Sequence, residues 1–182
     1  MTGDTGAEPA EQTNPAASHD ARAAALDRIA AKLERLSAQR MALRKAMRQF
    51  GEDFDAKAWS DAFVSPDADE INRVLAVIGG YLALVNNTME AITAGARLVG
   101  IKPADGARGA AGILEAIRID GGFTDRQAAT FTELHHTRNR LQHSSPDVEA
   151  DELHRQVRLL LRHLPRFVNS YLKWLRQHGI EL

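Results

Sequence analysis

The sequence predicts an all-α protein, and three observations carry that expectation. Apolar residues recur at spacings of three and four, as in Leu26, Ile29, Leu33, Leu36 and again in Leu153, Val157, Leu160, Leu164, which places them on one side of a helix. Alternating runs rich in β-branched residues, the mark of half-buried strands, are few. Between the periodic segments lie helix stops and starts: Gly51, Ser65-Pro66-Asp67, Gly121-Gly122 and Ser144-Ser145-Pro146.

Composition narrows the functional classes. A chain of 182 residues suits one domain of ordinary size plus an extension. With a net charge of -1 and a pI near 6.7, any nucleic-acid role needs a local patch. The absence of cysteine excludes disulfides, thiolate metal sites and cysteine nucleophiles, and fits a reducing compartment. No basic start is followed by an apolar segment, and no run is expected to approach the ~20 apolar residues of a membrane span. The expectation is a soluble, cytoplasmic protein without membrane contact.

Residues 1–20 hold Gly, Pro, Thr, Ala and acids with almost no large apolar group, too little to offset ordering entropy, and are expected to form a disordered tail. Residues 21–64 read as an N-terminal helical extension. Its first helix, about 28 residues long, carries a narrow seam of Leu26, Ile29, Leu33, Leu36, Leu43, Met47 and Phe50, broken at Arg40. Such a seam packs either on its own domain or on a second copy. Gly51 ends it, and a short helix around residues 53–63 folds back on Trp59 and Phe63.

Residues 65–182 read as the bundle proper. Ser65 is the expected cap of a long central helix, with Pro66 in its first turn. Ile71, Val74, Leu75, Ile78, Leu82, Val85, Met89, Ile92 and Val99 are its expected buried face. Gly79-Gly80 favours a close helix approach, or else a kink; Asn86-Asn87 is either exposed or holds an amide near a site. The glycines of 100–112 lack the Lys-Ser/Thr ending of a phosphate loop. A short helix follows at 109–118, then one capped by Thr124 or Asp125. The last helix, about 151–177, turns Leu153, Val157, Leu160, Leu164, Val168, Tyr171 and Leu175 inward, with a bend expected at Pro165. Arg155, Arg158, Arg162, Arg166, Lys173 and Arg176 fall on the opposite face, either a solvated surface or a track for RNA phosphates.

The stretch with most chemistry is His136-Thr137-Arg138-Asn139-Arg140-Leu141-Gln142-His143. It holds a permanent guanidinium, an amide and an imidazole at the end of an amphipathic helix. Residues five apart on a helix diverge by about 140°, so Arg138 and His143 share a site only if the helix unwinds after Leu141. Free carbonyls at the helix end would favour a protonated His143. His136, Arg140 and His143, one turn apart, could line one cleft. A bland alternative pairs Arg138 with an acid such as Glu133 and leaves the amide and imidazole capping the turn.

Arg138-Asn139-x-x-x-His143 resembles the Arg-x4-6-His motif of the HEPN superfamily, and Arg-Asn-Arg-Leu-Gln-His is close to the form of its HepT-like toxin branch. The order of helices over residues 69–176 is similar too. The resemblance implies a HEPN-like up-and-down bundle and metal-independent RNA cleavage, in which the ribose 2'-hydroxyl attacks phosphorus to leave a 2',3'-cyclic phosphate and a 5'-hydroxyl. It implies catalytic roles for Arg138 as phosphate clamp, His143 as proton-transfer group and Asn139 as orienting amide. His136, Arg140, Arg155, Arg158 and Arg162 are the candidate RNA contacts. It also implies a homodimer with two motifs face to face at the interface, no cofactor, and a toxin-antitoxin or antiviral defence setting with a nucleotidyltransferase-type antitoxin; DNA is not expected as a partner. HepT-like toxins commonly carry a modifiable Tyr two places after the His, where this chain has Ser145.

Glu133-Leu134-His135-His136 contains half of a di-iron signature, but the second half is missing. Adjacent histidines diverge by about 100°, so no metal site is expected. Two other classes stay open: a catalytically silent module binding a nucleotide, RNA or nucleotidyltransferase, and a helical assembly protein built on the N-terminal helix.

Overall fold

The computed structural model describes residues 15–103, 109–143 and 148–182, and every regular element among them is helical. Six α-helices form an all-α bundle: α1 (Pro15–Met47), α2 (Ala56–Phe63), α3 (Ala68–Val99), α4 (Gly109–Ile119), α5 (Asp125–His143) and α6 (Ala150–Gln177), with a 3-10 turn at Arg48–Phe50 between the first two. Helix α3 packs against all five others. It holds that place because Val74, Val77, Tyr81, Leu84, Val85, Met89, Ile92 and Ala96 leave almost no side of it polar over its central turns.

The expected apolar face of α3 is largely borne out, with Val74, Val85, Met89 and Ile92 buried and Ile78, Leu82 and Val99 partly buried, but it is displaced at its start. Ile71 and Leu75 are exposed, while Val77, Tyr81 and Leu84 are buried without remainder. Tyr81 belongs to the buried side, and its hydroxyl donates to the Leu134 carbonyl of α5 at 2.7 Å. The cap also moves, from Ser65 to Asp67, whose carboxylate accepts from the amides of Asp69 and Glu70. By length and composition α3 could cross a membrane, contrary to expectation, with a mean hydropathy of 1.3 over its most apolar window. In this fold it is the helix the others cover.

Helix α1 lies antiparallel along α3, with Lys32 bonded to Glu90, Gln39 to Asn87, and Leu43 against Gly80. Its seam is buried within its own chain: Ile29, Leu36 and Leu43 are fully or nearly fully covered. A Cβ at Gly80 would sit 3.1 Å from Leu43, so close helix approach accounts for that glycine, whereas Gly79 faces open space. Residues 15–20, expected in the tail, belong to α1, where Pro15 suits a first position and the alanines that follow favour helix. The disorder expected for the rest of the tail falls on residues 1–14, outside the described residues.

The segment after α1 closes one end of the bundle. Phe50, Phe54 and Trp59 pack edge-on or tilted against one another, and the Trp59 indole donates to the Ala150 carbonyl at 2.8 Å. Phe54 takes a φ of 57°, a conformation costly for a side-chain-bearing residue, and stacks on His154, whose Nε2 is 2.7 Å from the Phe54 carbonyl oxygen. At the other end of the core Gly95 meets α6: a Cβ there would lie 2.1 Å from the Tyr171 hydroxyl, which donates to the Ala91 carbonyl. Gly95→Ala is therefore expected to lower stability by about 1–3 kcal/mol, read as a reduced midpoint in urea at unchanged slope.

Candidate nucleic-acid interface and motif cleft

Helix α5 is capped reciprocally, the Thr124 hydroxyl accepting from the Gln127 amide and the Gln127 side chain accepting from the Thr124 amide. Ala128, Phe131, Leu134 and Thr137 then face the core. That register decides where the motif points. His135 and Arg138, three apart, share one flank, while Glu133, His136 and Arg140 take the other.

On the first flank Arg138 is half-buried at a cleft of about 400 Å³ between α1, α3 and α5, lined also by Lys32, Asn86, Glu90, Thr93, Arg97 and His135. Its Nε donates to the Asn86 side-chain oxygen, and its Nη1 donates to Asn139 Oδ1 at 2.7 Å. Asn139 Nδ2 is 3.3 Å from His135 Nδ1. The chain is consistent in direction: Asn139 uses its oxygen on the guanidinium, so its amide donates to an unprotonated His135 Nδ1. Burial first, then the charges of Arg138 and His136, holds the His135 imidazole below its ordinary value and keeps it neutral. With Glu90 bonded to Lys32, the cleft keeps Arg97 and Arg138 unneutralised among the described residues, which favours an anionic ligand.

On the second flank His136 lines a larger cleft of about 950 Å³ between α4, α5 and α6, beside Glu115, Arg118, Glu133, Glu152 and Gln156. Arg140 is paired with Glu152 at 2.6 Å. Glu133 accepts from Gln156, so it is not the partner of Arg138. His136 and Arg140 thus face away from the Arg138 cleft. Among the described residues no group of three or more His, Asp or Glu side chains is placed to hold a metal ion.

His143 is the last residue of α5, as expected of the motif, but the unwinding that would bring it to Arg138 is not seen. Helix α5 continues through His143 and does not unwind after Leu141, which is half-buried against the core and keeps the last turn in register. His143 is exposed, about 140° around the helix from Arg138, and among the described residues no hydrogen bond or ion pair joins the two. The stop expected at Ser144-Ser145-Pro146, and Ser145 itself, lie outside the described residues.

Helix α6 follows its pattern closely. Leu153, Val157, Leu160, Leu164, Tyr171 and Leu175 are buried, Val168 is half-buried, and Arg155, Arg158, Arg162, Arg166, Lys173 and Arg176 are all exposed. The helix runs on through Pro165. Most contributors to the motif cleft escaped the sequence reading in whole or part, Lys32, Glu90 and Arg97 entirely. Asn86 left a signal as a polar interruption of an apolar face. His135 left none beyond its spacing of three from Arg138. No family model, curated protein or solved structure matches the chain.

Proposed function

We propose that the protein is a metal-independent endoribonuclease of HEPN type, working in the cytoplasm in a toxin-antitoxin or other defence setting. The observation that supports this most is the Arg138 guanidinium, held half-buried in a cationic cleft by Asn86 and Asn139, with N–H donors left over for phosphate oxygens. In the proposed reaction the ribose 2'-oxygen attacks phosphorus as a base takes its proton. The bond to the 5'-oxygen breaks, an acid protonates that oxygen, and the products are a 2',3'-cyclic phosphate and a 5'-hydroxyl. Arg138 stabilises the charge gathering on the phosphate, and Asn139 fixes the guanidinium. His143 is the proposed proton-transfer group. Because it faces away from the Arg138 of its own chain, a second copy would supply the complementary motif, and a homodimer is part of the proposal.

A second reading, a silent HEPN-like module binding RNA, a nucleotide or a nucleotidyltransferase-type partner, is favoured by one observation: α5 is unbroken through His143, so one chain alone presents no joined Arg–His pair. The test is cleavage of labelled RNA in EDTA by the wild type beside Arg138→Ala, His143→Ala and His135→Ala variants of intact fold and oligomeric state. The expected result is a cyclic-phosphate end, lost in Arg138→Ala and His143→Ala and retained in His135→Ala. Loss in His135→Ala alone among the histidines would transfer the proton-transfer role to the cleft imidazole. No cleavage of a broad set of RNAs by the wild type would leave the silent module standing.

A further inference from the structure

The basic face of α6 does not stand alone. Toward its N-terminal half it forms one wall of a groove of about 360 Å³, whose other wall carries Arg44 from the end of α1 and Arg48 from the 3-10 turn that follows. Arg158 and Arg162 complete a set of four guanidiniums there, against two acids, Glu52 and Asp53, on the groove's rim. One turn further along α6 a second groove, of about 300 Å³, lies between α5 and α6 and is lined by Arg126, Arg162, His163 and Arg166 with no acid among the described residues. Arg162 belongs to both.

Arg44, Arg48, Arg126, Arg158, Arg162 and Arg166 are exposed, and among the described residues none is in an ion pair. Some basic side chains elsewhere find acids, Lys57 with Asp61, Arg73 with Glu70, and Arg118 with Glu115 and Asp125, while others such as Arg97, Arg155 and Lys173 are in no ion pair among the described residues; what sets the six apart is that they line two adjoining grooves. The Arg158 guanidinium is oriented by a bond from Nη1 to the Asp53 carbonyl at 3.2 Å. Successive α6 arginines are spaced at about 6 Å, one per turn. The groove floors are apolar and buried (Phe54, Leu161, Phe131, Phe167), which strengthens the field above them.

We propose that the two grooves form one continuous track for the phosphodiester backbone of an RNA strand, separate from the Arg138 cleft and reaching from α1 across α6 to the start of α5. The RNA identity of the strand rests on the ribonuclease reading above; the track itself rests on the arginines. An isolated phosphate needs one such groove, whereas two grooves sharing a guanidinium suit a chain of phosphates. A protein partner fits less well, because the aromatic rings beneath the grooves are buried and offer no anchor, and interface energy concentrates on such anchors. His163 reports the field already present: burial first, then Arg126, Arg162 and Arg166, the other charged groups that line its groove, hold its imidazole below the ordinary value.

The experiment uses the full chain and a fluorescent 2'-O-methyl oligoribonucleotide, which cannot be cut by 2'-hydroxyl attack, so binding is read apart from cleavage. Arg44→Gln/Arg48→Gln and Arg126→Gln/Arg166→Gln should each weaken binding about tenfold or more. Each should also lower the slope of log affinity on log salt by roughly 1.5, at ~0.7 for every single-strand phosphate that is no longer neutralised. Arg73→Gln should bind as wild type. The His163 pKa, followed by NMR, should rise when the oligonucleotide is added. Wild-type binding that is absent at low salt, unchanged in both double variants, or equalled by polyglutamate would overturn the track. Failure of the wild type to cut ordinary RNA, with this binding intact, would remove the ribonuclease reading and leave the track in place.

Discussion

Replacing Arg138 by lysine is expected to cost RNA cleavage about as much as replacing it by alanine, roughly 10²–10³-fold in kcat. The reason lies in how the guanidinium is held. Nε is committed to Asn86 on α3 and Nη1 to Asn139 on α5, so the plane of the fork is fixed from two helices before any phosphate arrives. A lysine ammonium retains the charge but is a point donor on a flexible stem, and cannot keep both amides while still facing the cleft. The check is kcat and KM on one oligonucleotide for Arg138→Lys, Arg138→Ala and wild type, with melting temperatures to show that the fold is intact. Activity of Arg138→Lys within a few fold of wild type would mean that charge alone matters and that the two amides serve stability.

Removing residues 1–64 is expected to abolish the cooperative fold. The deletion takes away Ile29, Leu36, Leu43, Phe50, Phe54 and Trp59, each at most 4% exposed, and strips α3 of the helix that packs along it from Gly80 to Glu90. At roughly 1.5–3 kcal/mol for each large buried side chain, the loss reaches or exceeds the net stability of an ordinary domain, about 5–15 kcal/mol. Circular dichroism of residues 65–182 should show no sharp thermal transition, and limited proteolysis should degrade the fragment. A cooperative melt within a few degrees of the full chain would instead make the first 64 residues an appendage, as a helical assembly protein organised on α1 requires.

The two ends of the chain were legible to different degrees, and the difference is physical. Helix α6 has one wet face and one dry face for its whole length, so period and burial agree along it apart from the buried His154 and Gln156 and the half-buried Val168. Helix α3 is covered on most sides, and periodicity has little to say about a helix without a polar stripe. Its buried side includes Tyr81, whose hydroxyl finds an acceptor on another helix, and of the expected face only Ile71 and Leu75, near the start of α3, are exposed. At the motif, the sequence located Arg138 and Asn139 on the right helix. It offered Asn86 only as one of two readings, an amide near a site, because the bond that joins it to Arg138 spans 52 positions and depends on how α3 and α5 meet. The unwinding after Leu141 that a joined Arg138–His143 pair within one chain requires does not occur, because Leu141 itself still has core to touch.

Asn86 and Asn87 are neighbours on α3, and they do different jobs: one steadies the motif arginine, the other grips Gln39 of α1. The same helical turn therefore fastens the candidate site and the longest helix of the chain. An anion site built on a loop can be switched off by letting the loop melt while the rest of the molecule stays whole. Here the fastening belongs to the innermost helix, so the cleft and the fold disappear together. Control of such a site is expected to act by covering it, since its fastening is shared with the core of the bundle.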